Sequence, residues 1–321
     1  MPHPAPQTRA RPGDNAACEG CHAEIASEWR ASLHRSSHDG SEFQRAYARE
    51  PQAFCRKCHA PEADAERNGA ALGVACTTCH VTESEVLAAP APAPGASASP
   101  HALRRDARFA TDAACAECHE FSFPRNSGSP MQSTITEHAA SAFADVPCAR
   151  CHMPVVATAR GSHRSHAFSA SRDPNALREA VRASARRVSE SAIEIVVAPA
   201  HVGHAVPTGD LFRRLLVSAQ AVDAEHIVVA DASAPLGRRF ASHVTTQLAS
   251  IEIADDRVGR PARPYEPVRV RLDLGARAAG KRWVWSLRYQ RVAFPQSDGS
   301  VVLDGEIVID SGSLEAPSAT K

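Results

Sequence analysis

Hydrophobic and polar positions follow different rules on the two sides of residue 173. Beyond it, apolar and β-branched residues alternate with polar ones over residues 191–198, 211–222, 226–231, 243–254, 267–274, 282–293 and 301–309. That period of two is the pattern of half-buried strands. Turn residues separate the runs: Pro207-Thr208-Gly209, the stretch from Pro261 to Pro264, and Asp298-Gly299. Seven short strands with this punctuation predict a C-terminal all-β sandwich, for which an immunoglobulin-like arrangement is one form. Just before them, Asp173-Pro174 predicts a helix to about Arg187, with Asp as N-cap and Pro in the first turn.

The N-terminal half shows no such rhythm. Two short helices opened by Ser or Thr are predicted, and they echo each other. One is Ser27-Glu28-Trp29-Arg30-Ala31-Ser32-Leu33-His34, the other Thr136-Glu137-His138-Ala139-Ala140-Ser141-Ala142-Phe143. Residues 88–100, rich in Ala, Pro and Ser, read as an extended, disordered surface loop. Residues 1–14 read as a flexible, Pro-rich leader. They lack the apolar stretch of a signal peptide, as in a mature or trimmed chain. No run approaches the roughly 18–20 apolar residues of a transmembrane helix. The predicted division is therefore a leader (1–14), an N-terminal domain (15–187) and a β-sandwich domain (188–321).

Composition says what builds the N-terminal domain. Of the 321 residues only 5% are aromatic and three are Met, so ordinary core-builders are scarce. Basic and acidic residues balance at 36 each, which gives no electrostatic argument for nucleic acid or an anionic membrane. Cysteine and histidine stand out, with ten and sixteen copies, and every cysteine precedes residue 152.

The ten cysteines form five C-x-x-C-H sites: Cys18-Cys21-His22, Cys55-Cys58-His59, Cys76-Cys79-His80, Cys115-Cys118-His119 and Cys148-Cys151-His152. This is the attachment signature of c-type haem. Two thiols two residues apart reach the vinyl groups on one edge of a macrocycle, and the next residue turns its imidazole under the ring to the iron. A zinc ribbon needs two pairs per metal and leaves each following histidine unexplained. Redox C-x-x-C motifs come singly, near a βαβ unit, and five strained C-x-x-C disulfides are no framework. The expected cofactors are five covalently attached haem c groups with their iron. Flat apolar macrocycles would supply the missing core, giving a domain mostly α-helical and irregular. The first cysteines stand 37, 21, 39 and 33 residues apart, too irregular for a solenoid.

Five histidines are proximal and eleven remain. A second histidine closes the iron for electron transfer, an open sixth position admits substrate, and methionine raises the potential. His34 and His38, four apart on one helical face, supply at least one distal candidate. His101 is a second candidate against an exposed loop histidine, and His138 a third against packing under a haem. Of the neighbours His163 and His166, His166 is favoured. His204, in Gly203-His204-Ala205-Val206-Pro207-Thr208-Gly209, reads either as a turn residue or as a ligand reaching back to a haem. His226 and His243 lie in strand-like runs and read as ordinary. Met131 is a candidate for the fourth haem, whereas Met153 is too close to the proximal side of its own.

With these residues in view, the chain resembles the group of multihaem cytochromes related to the tetrahaem cytochrome c of ammonia-oxidising bacteria. The carrying features are the five C-x-x-C-H sites, Glu28-Trp29-x-x-Ser32-x-His34, Gly73-Val74-Ala75-Cys76, Met131-Gln132-Ser133-Thr134 and Cys151-His152-Met153-Pro154. The resemblance implies that His34 binds a haem distally. The segment His204 to Arg213 with Arg214-Leu215 resembles a β-domain appended to bacterial multihaem cytochromes. The extra haem site, the Pro-rich loop and His138 in place of Trp depart from the tetrahaem pattern.

The expected function is electron relay between redox partner proteins in the periplasm or outside the cell, since thioether haem is matured outside the cytoplasm. A second reading is a reductase with one open haem acting on a small nitrogen or sulfur oxyanion, with Arg125, Arg150, Arg160 and Arg164 as its anion pocket. A third is a conductive filament built by self-association.

Overall fold

The computed structural model describes residues 12–62, 72–82, 85–90, 101–123, 126–158, 161–168, 170–241, 246–263 and 265–316. The helices among them are α1 (Pro12–Cys21), α2 (Ala23–Arg30), α3 (Ser41–Arg49), α4 (Arg56–His59), α5 (Cys76–His80), α6 (Ala113–His119), α7 (Thr134–Ala139), α8 (Cys148–His152) and α9 (Pro174–Ala180). The short strands before residue 170 are β1 (Val81–Thr82), β2 (Glu85–Ala88), β3 (Leu103–Arg105), β4 (Glu120–Phe123), β5 (Asn126–Ser133), β6 (Val155–Thr158) and β7 (Gly161–Arg164). No described helix is long and apolar enough to cross a membrane.

The chain divides into two compact units: residues 1–124 with 146–170, and residues 125–145 with 171–321. The first unit is built of helices of four to ten residues, lengths that are marginal alone in water. Its sheets are small: β2 pairs antiparallel with β1 and parallel with β3, and β6 with β7 forms a hairpin. Among the described residues the buried apolar side chains here are few, and half of them are alanines: Ala26, Trp29, Ala60, Ala75, Leu87 and Phe123. These elements bury too little apolar surface to hold one another by themselves.

The second unit is the β-sandwich. Its strands are β8 (Val181–Arg187), β9 (Ala192–Pro199), β10 (Arg214–Val222), β11 (Val228–Phe240), β12 (Glu252–Asp255), β13 (Val268–Asp273), β14 (Arg282–Pro295) and β15 (Val301–Leu314). They form a sheet of order β12-β11-β10-β14-β15 and one of order β13-β9-β8, with every pairing antiparallel. Side chains of both sheets join one core, among them Ile193, Ile195, Leu215, Val217, Leu272, Trp283, Leu287 and Tyr289. Taken in chain order, the strands reproduce the immunoglobulin-like arrangement, A-B-E against G-F-C-C′ with one further edge strand.

Three predicted elements differ. The helix opening at Asp173 is real, with the Asp173 carboxylate accepting from Asn175 N–H and Pro174 at its first position, but it ends at Ala180. Residues 181–187 become β8, which pairs with β9. Val181-Arg-Ala-Ser-Ala-Arg-Arg alternates inward and outward, and a sheet edge suits that period better than another helical turn. Arg187 at its end lies 3.5 Å over the buried Trp283 ring. In the run 243–254 the described residues from 246 onward are strand only from Glu252, because residues 247–250 close a turn through Ser250 N–H and Gln247 O. His226 sits in a turn at φ 64°, where Asp223 Oδ1 accepts from the Glu225 and Ile227 N–H groups. The predicted leader yields to helix α1 from Pro12 onward. Residues 1–11, most of the 88–100 loop and His243 lie outside the described residues.

One polar cluster is buried in this second unit. The Glu137 carboxylate, on α7, accepts from Arg257 Nη1 (2.7 Å), Ser133 Oγ (2.9 Å), Thr208 Oγ1 (3.0 Å) and Ala205 N–H (3.2 Å). Arg257 also pairs with Asp255. Burial works against the Asp255 carboxylate, yet the hydrogen bonds and charge of Arg257 outweigh it and hold its pKa low. A buried carboxylate with four donors is stable only as a set. Arg257→Met should therefore destabilise this unit by about 3–5 kcal/mol, the cost of leaving a buried charge unpaired, read as an earlier urea midpoint; a midpoint equal to wild type would show that the cluster is not structural.

Candidate haem sites

Each C-x-x-C-H motif sits on about one turn of helix, because two thiols and an imidazole within five residues can share a side only there. Cys18 and Cys21 close α1, and His22 N–H returns to Cys18 O at 2.9 Å. The third and fifth motifs are α5 and α8 in their entirety, the fourth ends α6, and the second runs from a short 3₁₀ turn into α4. No disulfide joins any of the ten cysteines. Among the described residues, no group of three or more Cys, His, Asp or Glu closes on one metal position, as a zinc ribbon would require.

The motifs are tied to one another by side chains that the motif itself does not contain. Asn15, three residues before Cys18, accepts the Cys76 N–H at 2.8 Å. Asp112, three residues before Cys115, accepts the Cys148 N–H at 2.9 Å and the Cys148 thiol at 3.0 Å. Each Asx side chain thus takes up an N–H at the start of another motif's helix, a group with no partner inside that helix. The thiols approach in the same pattern. The Cys58 and Cys118 thiols hydrogen-bond with each other, as do those of Cys115 and Cys148. Burial pushes the Cys55, Cys76 and Cys79 thiols up to about 11.

Three pairs of histidine rings face one another at nearly one spacing. His22 and His101 have centroids 6.4 Å apart, His34 and His119 6.3 Å, and His80 and His166 6.2 Å. Two imidazoles bound to one metal at about 2.0 Å, each nitrogen about 1.1 Å from its ring centre, would have centroids about 6 Å apart. The tautomers fit as well. Nδ1 of His59, His80 and His166 lies 2.8, 2.9 and 2.8 Å from the carbonyls of Ser37, Leu87 and Arg164. A carbonyl only accepts, so Nδ1 carries the proton and Nε2 keeps its lone pair for a metal. Burial, reinforced by His119, His166 and His152, lowers His34 to about 3, so its imidazole stays neutral.

His34 and His38 do not share a helical face. Helix α2 ends at Arg30, and residues 31–40 are a chain of turns. Ser32 Oγ donates to Trp29 O and accepts from Arg35 N–H, which diverts the backbone. His34 goes to His119, whereas His38 packs on Phe43, whose ring stacks on His59 at 4.3 Å. Gly73 fixes the His34 turn. At φ +60° it brings bare backbone against the His34 and Arg35 carbonyls, where a Cβ would stand 2.3 and 2.4 Å away. Val74 N–H then donates to His34 O, and Trp29 Nε1 to Val74 O, both at 2.8 Å.

The other candidates are placed as follows. His163 Nε2 is bound to the Glu28 carboxylate at 3.1 Å. In the second unit, His138 is buried on α7, and its ring would meet a Cβ added at Gly203 at 2.9 Å. His204 Nδ1 lies 3.0 Å from Ala205 O. Met131 lies on β5, its carbonyl accepting from Arg238. Of the arginines considered for an anion pocket, Arg164 is engaged by the carbonyls of Ala149 and Met153, both at 3.0 Å. Arg150 is exposed, and Arg125 and Arg160 lie outside the described residues. Sequence reasoning missed Asn15, Asp112, Glu28 and Glu137. The shared offset of three residues before a C-x-x-C-H site was the available signal for the first two.

Residues 17–85 match the family model of cytochrome c554 and c-prime. Over 96% of this chain and 100% of the other, the fold matches a penta-heme cytochrome c552 from Thermochromatium tepidum, with a TM-score of 0.70 and 18% identity. A β-glucuronidase of glycoside hydrolase family 2 aligns with 42% of this chain and 11% of its own length, at 11% identity and a TM-score of 0.15. No curated protein matches the sequence. The chain has the fold of a multihaem c-type cytochrome. Asn15→Ala and Asp112→Ala should each lower stability by about 1 kcal/mol, the usual worth of a helix cap. Urea unfolding of the haem-loaded chain checks this, with Asp112→Asn, which keeps an acceptor for the Cys148 N–H, as the variant expected to stay near wild type; unchanged midpoints in both alanine variants would contradict it.

Proposed function

We propose that the chain is a five-haem c-type cytochrome that relays electrons between redox partner proteins in the periplasm or outside the cell. The observation that carries this reading is the set of three histidine pairs at the spacing one iron spans. In each pair one histidine ends a C-x-x-C-H motif and the other lies elsewhere in the chain. The cysteine pairs would hold the macrocycles through thioethers, and His22, His59, His80, His119 and His152 would be the proximal ligands. His101, His34 and His166 would be distal at the first, fourth and third sites. Haem iron, when bound, supplies one-electron exchange, and an imidazole on both faces keeps it closed to substrate and low in potential.

The contacts among motifs support a branched relay. Cysteines of the fourth site approach those of the second, third and fifth, and the first site adjoins the third through Cys18 and Cys76. Short separations of this kind are what a chain of one-electron carriers requires, and the side chains that enforce them are the protein's contribution. The β-sandwich would serve as a docking or rigidifying module. His138 and His204 remain distal candidates within it, and Met131 a weaker one. A reductase reading has less support, since Arg164 is held by backbone carbonyls.

Electron paramagnetic resonance of the oxidised, fully haem-loaded protein tests the ligand reading. His34→Ala, His101→Ala and His166→Ala should each convert one haem of five from low-spin to high-spin, while His38→Ala leaves the spectrum unchanged. Unaltered low-spin spectra in all three variants would overturn the pairing.

A further inference from the structure

His166 depends on a residue that no C-x-x-C-H motif contains. It lies just beyond strand β7, in a stretch with no regular structure, so no helix or sheet ladder fixes its backbone. Two contacts fix it instead. Ser165 N–H donates to Pro154 O at 2.8 Å, and His166 N–H donates to Glu28 Oε2 at 2.8 Å. The second oxygen of the same carboxylate takes the Nε2 proton of His163 at 3.1 Å. One side chain on α2 therefore grips both histidines of a segment more than 130 residues away in sequence.

The two grips have different consequences. His163 has its Nε2 occupied by the carboxylate and cannot offer that nitrogen to a metal. His166 is held only by its backbone, and its Nδ1 is turned to Arg164 O at 2.8 Å, so Nε2 points away with its lone pair free. Its ring centre then stands 6.2 Å from that of His80. A charge-assisted bond to a backbone N–H is among the stronger of its kind. Helix α2 is anchored in turn by Trp29, whose indole donates to Val74 O at 2.8 Å, so the carboxylate is presented from a fixed element.

The chain uses the same device twice. Glu137 holds the position of Glu28 in the sequence echo, and both segments end alike, with Ser32 N–H on Trp29 O and Ser141 N–H on His138 O, each at 2.9 Å. Glu137 likewise accepts a backbone N–H beside a histidine, that of Ala205 next to His204. That histidine also turns Nδ1 to a backbone carbonyl.

We infer that Glu28 is a positioning residue for the third haem site: its carboxylate selects His166 over His163 and holds it where Nε2 meets the iron opposite His80. This rests on the reading of His80 and His166 as one ligand pair. The test uses the full-length, haem-loaded protein, with haem content checked by the pyridine haemochrome spectrum and spin state by electron paramagnetic resonance. Glu28→Ala should retain every haem yet turn one in five high-spin, and added imidazole should restore the low-spin signal. Glu28→Gln, whose amide oxygen still accepts the His166 N–H while its NH₂ donates to Nε2 of His163 in the Nδ1–H tautomer, should keep the wild-type spectrum. Should Glu28→Ala fail to mature, Glu28→Asp, one methylene too short for both bonds, carries the same expectation of a high-spin fraction. A fully low-spin spectrum in Glu28→Ala or Glu28→Asp, with His166→Ala high-spin, would overturn the positioning role alone. A low-spin His166→Ala would overturn the ligand pair and the inference with it.

Discussion

A turn of helix offering two thiols and an imidazole recurs five times in the first unit, and almost nothing else there can act as a core. Its helices have four to ten residues, and its buried apolar side chains are few. Chain entropy alone would leave such elements unfolded. What organises them must lie where the cysteines and histidines converge, and in the proposed reading that is the macrocycle. The covalent tie also explains why the polar bonds among motifs matter. Asn15, fully buried, and Asp112, half-buried, act through polar contacts and not through apolar area. They fix one motif's helix start against another's, setting spacings that flat, featureless rings would leave loose.

The second unit solves the opposite problem. Its two sheets bury a continuous apolar core around Trp283, Tyr289, Leu215 and Leu287, so it needs no cofactor to fold. Into it is set a buried charged cluster, Glu137 with Arg257 and Asp255. Replacing such a cluster with apolar side chains often costs nothing, so its worth lies in specificity more than in stability. Here it holds α7, from the segment between the fourth and fifth motifs, to the loop that carries His204. The sequence echo between Glu28 and Glu137 links the two units by logic: a carboxylate on a short helix grips backbone beside a histidine that comes from far downstream.

Much of this was legible in the residues. The C-x-x-C-H spacing pointed to haem c, in keeping with the multihaem cytochrome fold, and strict alternation located β9, β10, β13, β14 and β15 to within a few residues. In the proposed reading His166 is the ligand and His163 is not, because Glu28 occupies the His163 ring. Failures came where tertiary pairing overrides local pattern. Residues 181–187 have the composition of a helix end but an edge strand's alternation, and the neighbouring β9 decides between them. His34 and His38 have helical spacing, but Ser32 and Gly73 redirect the backbone. Segment 125–145 lies between two C-x-x-C-H motifs in sequence yet clusters with the β-sandwich, through long-range bonds of Glu137, Thr134 and Met131 that no local pattern announces.

The central claim is that all ten thiols are committed to thioethers, and intact mass spectrometry of the chain matured in a periplasm tests it most directly. The expected result is a mass of the polypeptide plus five haems, with no cysteine open to alkylation after denaturation and a sharp α-band on reduction. A mass equal to the bare polypeptide, with ten alkylated cysteines and no such band, would contradict it.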